Sequence, residues 1–277
     1  MPLIINTNIA SLRAQHAVSA SQSRLQTSYT RLSSGFRINA ASDDAAGLAV
    51  SENLRSQIRS FSVAERNTRN AVGMANTAEG GLSQISDVVI RMRELSVQAA
   101  NGDLSSTDRG YLDIEFQLLK AEVDRLSNST ALNGTVLLGG TAVSIAFQVG
   151  INTTSNDTIS MGFGGVSSST LGLSGVSIGG SGTSGASSAI DSMDVAMTSV
   201  LTSRAQFGAA VNRLHIAISN SEAIRTNLEA ANSAIRDVDV AEETSQLARS
   251  QVLLQAGASV LAQANQAPQL ALQLLNR

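Results

Sequence analysis

The sequence predicts a mainly α fold: a long antiparallel helical coiled-coil bundle carrying a small β-hairpin insert. Three observations predict it. Near the C-terminus Met193, Val200, Phe207, Leu214, Leu228 and Ile235 fall on one comb with a step of seven, interrupted at Ser221, with Met197, Val211 and Ile218 four residues beyond three of its teeth. Past Ile235 the comb changes phase and resumes at Val240, Leu247, Leu254 and Leu261, and Leu112, Phe116, Leu119, Val123 and Leu126 answer it earlier in the chain. A repeat of seven sets one seam of a helix against another helix. Between these halves, residues 134–190 hold thirteen of the 22 glycines and a single charged residue, Asp157.

Residues 5–34 read as the first helix, with Val18, Leu25 and Leu32 in steps of seven and Tyr29 and Phe36 four beyond the last two. Gly35 is the expected stop, because helices commonly end on a left-handed residue and glycine adopts that conformation without steric cost. Ser42-Asp43-Asp44 offers a cap and two negative charges at the positive end of a second helix, about 45–100. Its later face is Leu82, Ile85, Val89, Met92 and Ala99, and Asn101-Gly102 ends it. Ser105-Ser106-Thr107-Asp108 has the form of a capping box for a third helix reaching Ser129.

Val143, Ile145, Phe147 and Val149 alternate, as do Ile159, Met161 and Phe163; joined by GINTTSND they read as a β-hairpin. Residues 164–188 are rich in Gly and Ser and read as loop. Residues 165–186 show no apolar periodicity, so the expectation is that they carry no core and tolerate a short Gly/Ser replacement. Helix resumes near Ala189 and reaches about Ile235, and a last helix spans about 239–264, stopping before Pro268. Long helices that reverse must pack antiparallel. The two terminal helices pair either with each other or with another molecule, and periodicity leaves that choice open.

Composition narrows the function. Aromatics are 3% with no Trp, which suits thin bundles packed by Ala, Leu, Ile and Val rather than a thick core built on large rings. Charged residues are 15%, against about 25% in typical soluble domains. Low charge with many neutral polar residues suits surfaces that become interfaces. A net charge of −3 gives no case for nucleic acid. Arg outnumbers Lys eighteen to one, Lys120 being the lone lysine; fixed forked contacts favour Arg, and genomic base composition would produce the same bias. The lack of cysteine excludes disulfides and thiolate chemistry. No stretch approaches the roughly 20 apolar residues of a membrane span, so no membrane insertion is expected. MPLIINTNIASLRAQ has neither the basic start nor the apolar run of a secretory signal, so export would have to use another route.

Candidate chemistry is sparse. His16 and His215 have no neighbouring ligands at metal spacing, and no H-E-x-x-H occurs. Asp43-Asp44 could be paired carboxylates for proton transfer, but their place before a helix reads as capping. The glycine-rich middle carries neither a G-x-x-x-x-G-K-[ST] nor a G-x-G-x-x-G in strand–helix context. The expectation is therefore no enzyme, no catalytic residue, no metal and no cofactor. Asn128, Asn133, Asn152 and Asn156 open N-x-[ST] sequons that read as incidental. The most distinctive cluster is RMRELSVQ (91–98), expected to expose two arginines and pack Leu95 and Val97.

Whole stretches of the chain carry a resemblance. INTNIASLRAQ (5–15), RLSSGFRINAASDDAAGLAVSENLRSQIR (31–59), RNTRNAVGMANTAEGGL (66–82) and RMRELSVQAANG (91–102) are similar to bacterial flagellin. So are EVDRLSNSTALNG (122–134), GAAVNRL (208–214), SAIRDVDVAEETSQLARSQVL (233–253) and QANQAPQLALQLL (263–275). The match runs in order over roughly residues 1–140 and 185–277, leaving a short middle where that family is variable.

The resemblance implies a subunit that polymerises into the flagellar filament. Residues 1–44 and 236–277 would form a terminal coiled-coil domain, paired as an inner tube around the filament channel. Residues 45–235 would form a helical rod domain, with 134–188 as its short variable region. Export would run through the flagellar type III apparatus, outside the cell, with assembly at the distal tip beneath a cap protein. An export chaperone and hook-junction proteins are further implied partners. The RMRELSVQ stretch resembles the region seen by the vertebrate Toll-like flagellin receptor, which makes Arg91, Leu95 and Glu115 the implied contacts. Ile90 departs from the Gln that recognised flagellins often carry there. Two rival readings share part of this logic: a hook–filament junction protein, and a type III-secreted interaction or adhesin protein.

Overall fold

A computed structural model describes the backbone of residues 7–275 and the side chains of residues 7–266. Among the described residues are five α-helices: α1 (Ile9–Ser34), α2 (Ala45–Ala99), α3 (Ser106–Ser129), α4 (Ser184–Arg236) and α5 (Val240–Leu275). Two antiparallel strand pairs lie between α3 and α4 in the chain: β1 (Ala131–Leu132) with β2 (Thr135–Val136), and β3 (Val143–Gln148) with β4 (Thr158–Phe163). The class is mainly α with a β-hairpin insert, as the periodicities predict. The small β1–β2 pair had no apolar alternation to announce it; its Asn133-Gly134 turn has φ of 50° and 79°, the left-handed pair that favours these two residues in tight hairpins. Contacts group the chain into two units, Met1–Ile58 with Asn227–Arg277, and Arg59–Thr226. This grouping assigns residues 45–58 and 227–235 to the terminal unit, where the helix-end reading drew its line at residues 44 and 236.

Short polar side chains fix the helix ends. The Asn8 side chain accepts from Ser11 N–H at 3.0 Å and starts α1, so the helix begins at Ile9; residues 5 and 6 lie outside the described residues. Gly35, at φ 75°, stops it by sending its N–H to the Arg31 carbonyl. Asp43 accepts from the Ala40 and Asn39 N–H groups, both at 3.0 Å, and these bonds hold its carboxyl below the usual range. Asp44 accepts from Gly47 N–H at 2.9 Å. The acidic pair therefore serves turn and cap. Ser105 and Asp108 form the predicted capping box. A cap that sequence reading missed is Arg109. It is 4% exposed and donates to the Ala99 and Asn101 carbonyls at 2.9 Å each. It thereby satisfies orphan carbonyls at the negative end of α2.

In the terminal unit α1 and α5 pack against each other within one chain, antiparallel: Asn8 reaches Ala264, Val18 lies against Gly257, and Arg31 meets Glu243. This answers the pairing left open by periodicity. The buried positions of α1 are Ser11, Ala14, Ser21 and Ser28, and those of α5 include Glu243 and Ser250. Val18, Leu25, Leu32, Leu247, Leu254 and Leu261 are half-buried beside them. Large and small residues thus alternate in one seam, and the small ones let the backbones come close. A Cβ on Gly257 would sit 2.9 Å from Val18 Cγ2. Next to the hairpin, the Phe36–Asp237 bridge, Arg37 N–H to the Arg236 carbonyl (2.7 Å) and Val238 N–H to the Gly35 carbonyl (3.1 Å) join the two chain segments. The Arg236 guanidinium lies 4.5 Å over the Phe36 ring and binds Glu52 at 2.8 Å. Contrary to the expected stop at 264, α5 continues through Pro268 to Leu275. A proline removes one helical hydrogen bond, and a donor from α1 takes over the carbonyl concerned, as described below.

The larger unit has a single apolar core. One face of α2 supplies Ala71, Ala75, Ala78, Leu82, Ile85, Val89, Met92, Leu95 and Ala99; α3 supplies Phe116 and Val123; α4 supplies Ala186 through Leu214. The hairpin pairs Val143 with Phe163, Ile145 with Met161 and Phe147 with Ile159, putting the alternating residues on one face, and Phe163 stacks on Phe207 at 5.4 Å between ring centres. Ser221, where the comb seemed broken, is buried at the next tooth. Val97, expected to pack, is instead 49% exposed, while Leu95 is 1% exposed. The two lie only two residues apart, on different faces of the helix.

The glycine-rich stretch overturns its expectation. Val166, Leu171, Leu173 and Ile178 are all buried in the core, and α4 starts five residues earlier than expected, at Ser184. Residues 164–183 form a coil laid over the helices. Gly165 lies directly against backbone, since a Cβ there would come 2.5 Å from the Gly139 carbonyl oxygen. Two aspartates of α3 pin the coil. Asp124 accepts from Ser168 N–H (2.8 Å) and Oγ (2.7 Å), and Asp113 accepts from Ile178 N–H (2.8 Å) and Ser177 Oγ (3.0 Å). Lys120 and Gln117 both donate to the Val176 carbonyl.

Burial pushes the Asp113 carboxyl up, but the Ile178 N–H, Gln117, Ser177 and the Gly179 N–H together outweigh it and hold the group below its ordinary 3.8. A depressed folded value means that the charged form stabilises the fold fully above the unfolded value, and that this stabilisation vanishes as pH falls through the folded value. Acid titration from about pH 4 to 2 is therefore expected to destabilise the wild type more than Asp113→Asn, read by thermal melts at each pH. Equal slopes would mean that Asp113 does not fasten the coil.

Candidate functional site

Among the described residues no group of three or more His, Cys, Asp or Glu could hold a metal ion, and His16 and His215 are exposed on helix surfaces. What the sequence builds instead is seams, a ladder of ion pairs and exposed apolar faces.

Every seam residue singled out from the sequence turns inward to some degree. Phe116, Val123, Met193, Val200, Phe207 and Leu214 are fully buried, and Leu112, Leu119 and Leu126 flank them. Leu228, Ile235, Leu247, Leu254 and Leu261, all in the terminal unit, are only half-buried. Sequence reading missed the alanines and serines that occupy the alternate seam positions, such as Ala71, Ala78, Ala189, Ala196 and Ser96. Their step of seven was present, but small residues are common enough in any helix to hide it.

Cross-helix ion pairs use arginine as the cation. In the larger unit α2 and α4 are bridged by Glu65–Arg225 (3.0 Å), Arg69–Glu222 (2.7 Å), Glu79–Arg204 (2.7 Å) and Arg93–Asp194 (2.6 Å). These order the antiparallel pair, though exposed pairs each add under about 1 kcal/mol. In the RMRELSVQ cluster Arg91 sends Nε and Nη2 to Glu115 Oε1 at 3.0 and 2.9 Å and Nη1 to Glu94 Oε2 at 3.0 Å. The hydrogen bonds it donates to Glu94, then to Glu115, stabilise its charged form further. The structure thus brings Arg91 and Glu115 together on the surface and sets Leu95 apart from them, in the core.

The terminal unit has the opposite balance of apolar groups. Among its described residues the buried apolar side chains are Ala14 and Ile38, whereas Ile9, Leu12, Tyr29, Phe36, Val50, Val240, Val252, Leu253 and Val260 are between 37% and 64% exposed. Such a display on a two-helix hairpin marks a surface that partners cover.

Comparison with known proteins places this architecture. The profile of the bacterial flagellin N-terminal helical region matches residues 5–143, and that of the C-terminal helical region matches residues 190–275. The chain is 39% identical to a flagellin of Halalkalibacterium halodurans over 273 residues, 99% of this chain and 100% of that one. It is 38% identical to the flagellar filament 33 kDa core protein of Treponema phagedenis, over 99% of this chain and 100% of that one. Against a flagellin of Bacillus subtilis it is 38% identical over 98% of this chain and 99% of the relative. Among solved structures, a proposed flagellar hook-associated protein from Vibrio parahaemolyticus superposes with a TM-score of 0.60 at 15% identity, over 70% of this chain and 100% of that one; that likeness is one of fold alone. Two helical regions in the family's order and full-length relatives lead to one conclusion: the chain belongs to the bacterial flagellin family and is a short flagellin.

Proposed function

We propose that this flagellin is the structural subunit of a flagellar filament and that its α1–α5 hairpin is the element that assembly completes. The observation that carries this reading is the shallow burial of the terminal unit, where the fully buried seam positions are small or polar, the seam leucines are only half-buried, and further large aliphatic side chains face outward. A two-helix pair of that kind is marginal in water, and packing by neighbouring copies supplies the missing burial. Residues 1–44 and 236–277 are then the inner, channel-lining segment, and residues 45–235 the surrounding helical domain.

The family resemblance supports the finer statements. The subunit is exported through the flagellar type III apparatus to the extracellular filament; no described helix is long and apolar enough to cross a membrane. Its partners are other copies, an export chaperone, a cap protein and hook-junction proteins, and it has no enzymatic role. Arg91 and Glu115 are the surface on which a vertebrate Toll-like receptor would land, with Leu95 supporting that surface from below.

Removing residues 1–44 and 236–277 is expected to leave a soluble, folded fragment that forms no native filaments. In the free full-length chain, limited proteolysis is expected to trim both ends, and in the polymer to spare them. Negative-stain imaging and sedimentation read the first result and gel analysis the second. Filaments grown from the truncated fragment would overturn the proposal. The fold likeness to a hook-associated protein keeps the junction role as a second reading, and copy number in sheared filaments decides between them, since a junction protein is rare.

A further inference from the structure

At the far end of the terminal helix pair, the cap residue of α1 donates a hydrogen bond to the α5 carbonyl four residues before a proline. Pro268 has no N–H, so α5 cannot form the helical bond from residue 268 back to the Ala264 carbonyl. That carbonyl accepts instead from the Asn8 side chain, Nδ2 to O at 2.8 Å. The same amide uses Oδ1 to accept from Ser11 N–H at 3.0 Å and so starts α1. Ser11 Oγ in turn donates to Asn265 Oδ1 at 2.7 Å, one residue beyond Ala264.

The large side chains of the seam do little to choose a register; Arg31–Glu243 and the bridge of Gly35–Arg37 with Arg236–Val238 fix the end next to Gly35, and the Asn8 contact is the polar pin at the opposite end. Val18 on α1 lies against the small Gly257 of α5, and the large residues of the two helices, Val18, Leu25 and Leu32 on one and Leu247, Leu254 and Leu261 on the other, repeat at the same step of seven. A slide of one heptad would set large against small again. A polar contact at one position is the device that singles out one register in such a pair. Apart from Pro2, Pro268 is the only proline in the chain, so the Ala264 carbonyl is the one backbone acceptor that a proline opens in α5.

We propose that Asn8 and Pro268 form a matched register lock, in which Pro268 opens the Ala264 carbonyl and Asn8 recognises it, aligning α1 on α5. This rests on the hairpin being the assembling element and names the residues that set its alignment.

The test is a double-mutant cycle on full-length protein assembled into filaments, read by hydrogen exchange of amides around Leu25 and Leu254. Asn8→Asp keeps the capping oxygen and loses the donor; Asn8→Ser also caps a helix but is too short to reach across. Pro268→Ala restores the N–H that satisfies Ala264 from within α5. Either Asn8 variant is expected to raise the opening equilibrium about three- to tenfold with Pro268 present, the loss of one cross-helix hydrogen bond. With Pro268→Ala in place, the same changes are expected to alter exchange by less than about twofold, and that difference is the coupling. Equal fold-changes in both backgrounds, or no change with Pro268 present, would overturn the lock. Failure of the wild-type chain to polymerise would instead sink the filament reading. The cycle would then be read on the free chain, where coupling upholds the lock and its absence, including unprotected amides in every variant, overturns it.

Discussion

Replacing residues 165–183 with a Gly/Ser linker of equal length is expected to unfold the unit formed by Arg59–Thr226 at room temperature, or to lower its melting temperature by tens of degrees. The stretch looks dispensable by composition, yet Val166, Leu171, Leu173 and Ile178 are fully buried against the helices. Deleting one buried aliphatic side chain costs about 2–5 kcal/mol once the cavity is included. Four of them rival the roughly 5–15 kcal/mol by which a domain is stable at all. Without its buried side chains the linker would also lift its backbone donors away from Asp124 and Asp113, leaving partly buried carboxylates unsatisfied. The milder variant Leu173→Ala is expected to lose about 2–5 kcal/mol in chemical denaturation. Circular dichroism melts of both variants read the outcome. A replacement that melts with the wild type would mean that the coil only rests on the core.

Leu214→Asp is expected to be the most damaging single change in the helical seams. Leu214 has no exposed surface and sits in the main core, so the new carboxylate would have to ionise without a partner or take up a proton. The lost aliphatic packing adds to that, and a destabilisation above about 4 kcal/mol is expected. Leu119→Asp is expected to cost less, because Leu119 is only partly buried and a carboxylate there can turn to water. Val195→Asp supplies the control: it lies on the same helix as Leu214 but is 64% exposed, and its melting is expected to stay near wild type. Denaturant unfolding of the three variants ranks them. If Val195→Asp were as harmful as Leu214→Asp, burial in the seam would not be what sets the cost.

The candidate site was legible in proportion to how large its residues are. The seam leucines, valines and phenylalanines announce themselves through their step of seven, because a large apolar side chain on a helix has few other uses. Ser11, Ser21, Ser28 and Ser250 hold equivalent inward positions but read as surface, since serine is tolerated almost anywhere. The coil of 164–183 hid its role for a different reason. Its buried side chains hang from irregular backbone, so they carry no period, and α3 side chains, Asp124 and Asp113 with Gln117 and Lys120, hold that backbone in place. Leu95 was assigned to a receptor-facing cluster by resemblance, yet it belongs to the inward face of α2 with Met92 and Ala99, a phase that the helical period of Leu82, Ile85 and Val89 already contained.

The sequence by itself determined the five helices, the stop at Gly35, the caps at Ser42–Asp44 and Ser105–Asp108, the presence of the β3–β4 hairpin and the family, because these follow from local backbone preference, side-chain spacing and shared residues. Tertiary structure alone decided what each apolar face meets. It paired α1 with α5 inside one chain, made the glycine-rich coil part of the core, put Arg109 over the end of α2, and carried α5 through Pro268 with Asn8 supplying the missing donor. The physical reason is common to all four: periodicity says that a side chain or carbonyl needs a partner, but only the packed chain, with its distances between residues far apart in sequence, says which partner satisfies it.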